Sequence, residues 1–415
     1  MHILVLTGYY APDGGPAAPL FTMLCEALVR RGHQVTALTA VPHYPTGRVP
    51  ESFRSSGTRS TIENGVRVVR VPLHSVDRSR LGSRLFQFIS YQINSVFAGF
   101  NFNYDVFIAH SPALEMWLPF LWHSKLRNKP GVYSVHDVYP SVGVRLGIFR
   151  NGAVIKSVTA LEKSCLHGAA KIRVLSRSFI DQLVELDVPR SKIELIYDWA
   201  DVSLIKPLSK INSFSMENGL TEKFVVLYAG NLGLVQGLSS VVDSARLLVN
   251  EKDIEFVFVG DGAGKRDLIE KATHLGLKNV RFLPYQPRER MPEILASGDI
   301  SLVTLQKGTG FGALPSKIYS ILASSRPVIA SVDPGSDAWD LVERSRSGLC
   351  IPPESPDTLA RGILQLKKDE NLRDEFSSNG REYVLNFHTP DYAATRFEAL
   401  LFAAVESKKN RNGSS

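Results

Sequence analysis

The residues with chemistry to offer gather where apolar runs stop. In "ALPSKIYS" (313–320), Pro315, Ser316 and Lys317 follow the apolar run "DISLVTL" and precede a short helical pattern. Ser316 is placed to cap that helix, and Lys317 falls in its first turn. A cation there is electrostatically unfavourable unless an anion sits beside it. The pattern therefore points to a phosphate-bearing ligand; a solvated lysine on an ordinary connection is the alternative. Two further turns carry glycines, which let a backbone approach phosphate closely. "YAGNLG" (228–233) holds Gly230 and Asn231, and "VGDGAGK" (259–265) holds Gly260. The second is neither a Walker loop nor a dinucleotide fingerprint, and a plain structural turn explains it as well. Near the start, "APDGGPAAP" (11–19) puts Gly14 and Gly15 between a strand and a helix. "SVHDVYP" (134–140) puts His136 and Asp137 at a strand end. A histidine so placed either serves a ligand or is a satisfied structural group.

These turns need a scaffold that brings strand ends together. Apolar runs such as "HILVLTGYY", "HQVTALTA", "GVRVVRVPL", "YDVFIAHS", "PGVYSVHD" and "AKIRVLS" alternate with helical patterns such as "PLFTMLCEALVRRG". Strand–helix–strand units imply parallel pairing with right-handed crossovers. The alternation pauses in "DVSLIKPLSKINSFSMENGLTEK" (201–223) and then resumes with "FVVLYAG", "IEFVFVG", "VRFLPY", "DISLVTL", "PVIASV" and "GLCI". The expected class is α/β, with two Rossmann-like doubly wound domains facing each other across a cleft. The boundaries are 1–200 and 201–390, followed by a last amphipathic helix from 391 and a disordered tail, "SKKNRNGSS", ending at 415. Ligands in such sheets bind beyond the carboxyl ends of the strands, where the turns above lie.

The 415 residues, 44% hydrophobic and 21% charged, suit a folded chain of more than one domain. The net charge of +7 favours anionic partners without choosing among them. It is dispersed, and no stacking-aromatic or zinc pattern accompanies it, which argues against nucleic acid. Cys25, Cys165 and Cys350 lie far apart, so neither a disulfide framework nor a metal site is expected. No Asp-x-Asp metal motif stands out. The first residues read as a strand, not a signal peptide, and no apolar run reaches membrane-spanning length.

Together these pieces resemble a family: the retaining glycosyltransferases of family four, with the GT-B fold, in the bacterial branch of colanic-acid and O-antigen fucosyl and N-acetylfucosaminyl transferases. The resemblance is carried by "ILVLTGYYAPDGG", "LVRRGHQVTALTAVPHYPTG", "ENGVRVVRV", "SVHDVYP", "IYDWAD", "LYAGNLGLVQGL", "FVGDGAGKRDL", "RFLPYQPRERMPEILASGDISLVTL" and "LPSKIYSILASSRPVIAS", in order over residues 1–331. It implies an acceptor-binding N-terminal domain and a nucleotide-sugar-binding C-terminal domain. It implies Gly14 and Gly15 facing the donor diphosphate, His136 near the donor sugar, and Lys317 on the diphosphate. Gly230, Asn231, Gln236, Gly260, Ser316 and Ser320 are implied around the donor, and the loop carrying Tyr285 beside the base. The last helix is expected to cross back onto the N-terminal domain.

The expected reaction is a metal-independent, retaining hexosyl transfer from a nucleotide-sugar, UDP-type, to a polyprenyl-diphosphate-linked glycan in surface polysaccharide assembly. The donor is a co-substrate, and no cofactor is expected. The sugar suggested by the nearest branch is a deoxy or N-acetylated deoxy hexose such as L-fucosamine. The implied location is the cytoplasm or the inner face of the cytoplasmic membrane. Two departures from the family stand out. Asn231 and Gln236 occupy places where many members carry Arg and Lys, and Ser320 and Gly312 stand where many carry two glutamates eight residues apart. The missing acids motivate a second reading, a non-catalytic scaffold; a sugar-nucleotide 2-epimerase is a third.

One more segment is unusual. In "RSRLGSRLFQFISYQINSVFAGF" (78–100), Leu81, Leu85, Phe88, Gln92 and Val96 fall near one helical stripe, with Phe86, Ile89, Ile93, Phe97 and Phe100 beside it. Arg78, Arg80 and Arg84 cluster at its start. Such a helix either lies in a bilayer interface or packs within its domain.

Overall fold

A computed structural model describes residues 1–413 apart from 16, 45, 55–56, 77–80, 140–150 and 313; for 81 and 411–413 it describes the backbone alone. The chain divides into two compact units, one of Met1–Tyr197 with Pro390–Ser415, the other of Asp198–Thr389.

The first unit is built on an eight-stranded sheet in the order β3-β4-β2-β1-β5-β6-β7-β8. Its strands are β1 His2–Leu6, β2 Gln34–Ala40, β3 Arg59–Glu63, β4 Val66–Val71, β5 Val106–His110, β6 Gly131–Val135, β7 Lys171–Val174 and β8 Ile193–Leu195. Seven strands run parallel, and their near-continuous Val, Ile and Leu content reflects burial on both faces. The exception is β3, an edge strand antiparallel to β4 with four of its five residues exposed. Its sequence, "RSTIE", is polar because it has only one neighbour and little core to face, which is why it is not among the apolar runs read from the sequence. Helix Ala18–Arg30 buries Ala18, Phe21, Leu24, Cys25 and Leu28 against the sheet, a stripe at helical spacing.

The last helix, Pro390–Gly413, belongs to this unit and lies against Ala18–Arg30, tied by Arg30–Asp391, Arg31–Glu398 and His33–Glu398. It runs through most of the segment expected to be a disordered tail. Residues 407–413 are helical: Lys408, Lys409 and Arg411 are good helix formers that carry the preceding turns on, past the weaker Ser407, Asn410, Asn412 and Gly413.

The second unit holds a six-stranded, wholly parallel sheet in the order β11-β10-β9-β12-β13-β14. The strands are β9 Phe224–Ala229, β10 Ile254–Val259, β11 Val280–Leu283, β12 Ile300–Thr304, β13 Val328–Ser331 and β14 Gly348–Ile351. Val226, Phe256, Phe258, Leu302, Ile329 and Ile363 sit in its core.

Each sheet reverses its order once. In the first unit β1 lies between β2 and β5, and in the second β9 lies between β10 and β12. Connections leave such a pair toward opposite faces, which opens a crevice at the strand ends. The topology thereby selects the loops after β1 and β5, with that after β6 next in line, and those after β9 and β12, with that after β10 beside them. Cys25 and Cys165 are buried thiols and Cys350 is half-buried.

Candidate functional site

In the second unit the loops after β9 and β10 are zipped together. Gly230 N donates to Val259 O at 2.9 Å, Leu232 N to Asp261 O at 2.8 Å, and Gly264 N to Leu232 O at 2.8 Å. The contact demands glycine. Gly260 has φ +145, and a Cβ there would lie 2.0 Å from Gly230 O; Gly262 has φ +157, with Asn231 Oδ1 at 2.5 Å from its would-be Cβ. The "GDGAGK" turn is therefore a structural partner of the Gly230 loop.

Lys317, the first residue of helix Lys317–Ala323, sends its chain to this junction. Its Nζ is buried, has no hydrogen-bond partner, and stands 3.6 Å from the centre of the Tyr228 ring. A Cβ on Gly230 would come within 3.1 Å of it. Desolvation lowers the ammonium from 10.5 to about 7. Tyr228 is itself fixed: its hydroxyl lies 2.8 Å from Asn231 O and 3.0 Å from Gln236 Oε1. Thr304 Oγ1 donates to Gln236 O at 2.6 Å. Lys317, Gly230, Asn231, Gln236 and Gly260 are thus brought together, through a Tyr228 that the sequence reading missed. The strand-final tyrosine beside the glycine turn was the available signal.

The other candidates of this unit sit differently. Ser316 is exposed and its side chain makes no cap bond, because its backbone is already helical and its Oγ does not reach the amides ahead; the expected capping role is corrected. Ser320, one turn after Lys317, is half-buried, and Tyr285 on the loop after β11 is 75% exposed. Buried Asp333, just past β13, accepts from Gly308 N at 3.0 Å and Gly310 N at 2.9 Å. It braces the glycine loop that leads toward Lys317, another role invisible in the linear sequence.

In the first unit, buried Asp13 shapes the glycine loop after β1. Its carboxylate accepts from Gly15 N at 2.8 Å, His43 N at 2.7 Å and Tyr44 N at 3.4 Å. A Cβ on Gly15 would meet the Tyr9 ring at 2.5 Å, and one on Gly14 would only touch Tyr44. Gly15 is there for packing, while Gly14 leaves its loop open.

His136 follows β6. Ser111 Oγ accepts from the amides of His136 at 2.9 Å and Asp137 at 3.2 Å. The imidazole Nε2 lies 3.3 Å from Ser134 Oγ, and the fully buried Arg173 donates to that hydroxyl at 3.4 Å and to Ile196 O at 2.7 Å. Phe21 packs on the His136 ring with centres 5.6 Å apart. Beside it, His110 donates Nδ1–H to Ser111 O at 2.6 Å, which leaves Nε2 to accept from Gly8 N at 3.4 Å. Burial lowers His110 to about 4, so it stays neutral. Glu162 accepts from Ala113 N and Tyr133 Oη, both at 2.9 Å, and burial raises it to about 7. Among the described residues no group of three His, Cys, Asp or Glu is arranged to hold a metal ion.

Comparison with solved structures places this architecture among the GT-B folds. Sucrose-phosphate synthase from Thermosynechococcus elongatus is similar over 97% of this chain and 99% of its own, with TM-score 0.72 and 18% identity. Anabaena HepE in complex with UDP is similar over 97% and 100%, with TM-score 0.71 and 18% identity. Residues 15–199 match the glycosyl transferase 4-like domain, and residues 211–383 match glycosyl transferases group 1. The chain belongs to this glycosyltransferase family. It is 29% identical over 376 residues, 88% of this chain and 92% of the relative, to the putative colanic acid biosynthesis glycosyl transferase WcaI of Escherichia coli K12.

Proposed function

We propose that this enzyme moves a sugar from a nucleoside-diphosphate donor, UDP-type, to a hydroxyl of a lipid-linked glycan during surface polysaccharide assembly, with retention at the anomeric carbon and without a metal. The observation that carries the reading is the Lys317 ammonium, buried and without a hydrogen-bond acceptor at the head of the Gly230 loop. A buried charge without a partner is costly, and a diphosphate is the counter-ion that such a pocket suits. The colanic-acid relative and the UDP complex of the HepE neighbour support the substrate class.

In the proposed step the bond from the anomeric carbon to the diphosphate oxygen breaks, and the acceptor oxygen bonds that carbon on the same face. The departing phosphate oxygen takes the acceptor proton. Lys317 offsets the charge growing on the leaving group. His136, oriented through Ser134 and Arg173, is assigned to charge on the sugar ring. Gly14, Gly15, Gly230, Asn231, Gln236 and Ser320 are assigned to the donor, and Tyr285 to its base. With Ser320 and Gly312 in place of acids, the ribose is held by a hydroxyl or by water. A deoxy or N-acetylated hexose is the proposed sugar, and a membrane surface the proposed setting.

The test is release of nucleotide from UDP-sugars, with and without acceptor extract, in wild type, Lys317→Ala and His136→Ala. Slow donor hydrolysis lost in both variants, insensitive to chelator, is the expected result. Wild-type turnover in both variants would remove the assignment. Donor binding without any hydrolysis or transfer would favour the scaffold reading that the missing acids suggest.

A further inference from the structure

Helix Leu81–Gly99 is built inside out. Its inward face carries Gln87, Tyr91, Gln92 and Ser95, all buried. Gln87 Nε2 donates to His74 O at 3.2 Å, and Tyr91 Oη to Leu38 O at 3.3 Å. Gln92 donates to Leu114 O at 3.0 Å and accepts from Leu118 N at 2.9 Å. These bonds fix the helix rotation, since turning it would leave the Leu118 amide and the carbonyls of Leu38, His74 and Leu114 without these partners. The outward face carries Leu85, Phe86, Ile89, Ile93, Phe97 and Phe100, which are 42–75% exposed. An ordinary surface helix has the opposite arrangement. The stripe runs about 22 Å at 1.5 Å per residue. It shows on the order of 600 Å² of apolar surface, at the upper end for a monomer. Of the residues read as one stripe from sequence, Phe88 and Val96 are half-buried and Gln92 is inside. Arg78 and Arg80 lie outside the described residues.

We infer that this stripe is the face by which the protein sits on an anionic lipid bilayer. Residues 81–104 contain no acid. Half-buried Arg84 stands near the start of the helix. At the far end Trp122 stacks on Phe100 with centres 5.2 Å apart, Arg127 donates to Phe100 O, and Lys125 and Leu126 are exposed beside them. Apolar side chains flanked by cations match the acyl boundary and the anionic headgroups above it. Long basic side chains can keep their charges in the headgroup layer while their stems lie on the apolar surface. A second copy of the chain fits less well, because a two-fold contact through this face would set like charges together. None of the described helices is long and apolar enough to cross a membrane, so the helix lies on the surface. The inference deepens the membrane setting proposed above, and rests on this helix and not on the donor site.

Flotation with vesicles of phosphatidylcholine alone or mixed with phosphatidylglycerol tests it. Wild type should float with the anionic vesicles, less so at high salt. Phe97→Glu and Ile89→Glu should each weaken flotation roughly tenfold or more, and Lys125→Glu should weaken it on anionic vesicles only. Both glutamate variants should keep the wild-type melting temperature and its response to UDP-sugar. A lost response with flotation intact would count against the donor reading alone. If wild type ignores anionic vesicles at low salt, the inference is overturned. It is overturned equally if sedimentation shows a lipid-free dimer that Phe97→Glu splits while no vesicle is bound.

Discussion

Replacing Lys317 by Met should make the ligand-free protein more stable while removing its donor affinity. Burial brings the ammonium down to about 7 in the folded protein, from the 10.5 of an exposed lysine. At 1.36 kcal/mol per pH unit, keeping it charged in the fold costs about 5 kcal/mol below pH 7. The sign follows from proton counting. The unfolded chain holds the proton more tightly, so stability rises with pH between about 7 and 10.5 and is lowest below 7. Methionine fills nearly the same space without charge but forfeits the cation–π contact with Tyr228, worth about 1–2 kcal/mol when desolvated. The net gain expected at pH 6 is about 3–4 kcal/mol, a rise of roughly 6–16 °C in the second unit's transition. It should shrink toward zero by about pH 9.5. Scanning calorimetry at several pH values reads this directly. In the same picture a bound diphosphate restores the proton, so wild-type affinity for a UDP-sugar should fall about tenfold per pH unit above 7. Its diphosphate has no ionisation of its own there. Destabilisation of the Met variant at pH 6, or a gain that does not vary with pH, would refute the buried-charge argument. Unchanged donor affinity in that variant would refute the assignment of the lysine.

Gly260→Ala should destabilise the second unit by about 2–4 kcal/mol in urea titration, since its Cβ would lie 2.0 Å from Gly230 O at a backbone angle few side chains adopt. Asp13→Ala strands amides of Gly15, His43 and Tyr44. The expected loss is about 2–4 kcal/mol in the first unit, with transfer activity lost and UDP binding, read by calorimetric titration, weakened because the Gly14–Gly15 loop assigned to the donor loses its brace. Glu162→Gln should stabilise the first unit at pH 8 but not at pH 5. The folded carboxyl stays protonated up to about 7, so wild-type stability falls as pH climbs from 4.5 through 7, by up to about 3 kcal/mol; thermal melts at the two pH values compare them.

What the sequence determined by itself was the run of elements and the turns. Buried parallel strands are mostly apolar, so twelve of them stood out. The two that did not, β3 and β8, are an exposed edge and a three-residue end strand. The glycines of the Gly230 and Gly260 turns and the strand-end positions of His136 and Lys317 were likewise readable. Tertiary structure alone decided what those residues touch. Strand order put the loops after β9 and β12 side by side and so brought Lys317 under Tyr228, 89 positions earlier. Asp13 and Asp333 look like ordinary turn acids in the chain, and became loop braces only when distant amides converged on them. Helix Leu81–Gly99 shows the same division most plainly. Its periodicity announced two faces, but which one points inward depended on carbonyls of Leu38, His74 and Leu114. Side-chain amides choose their partners in space, and a one-dimensional pattern carries no record of that choice.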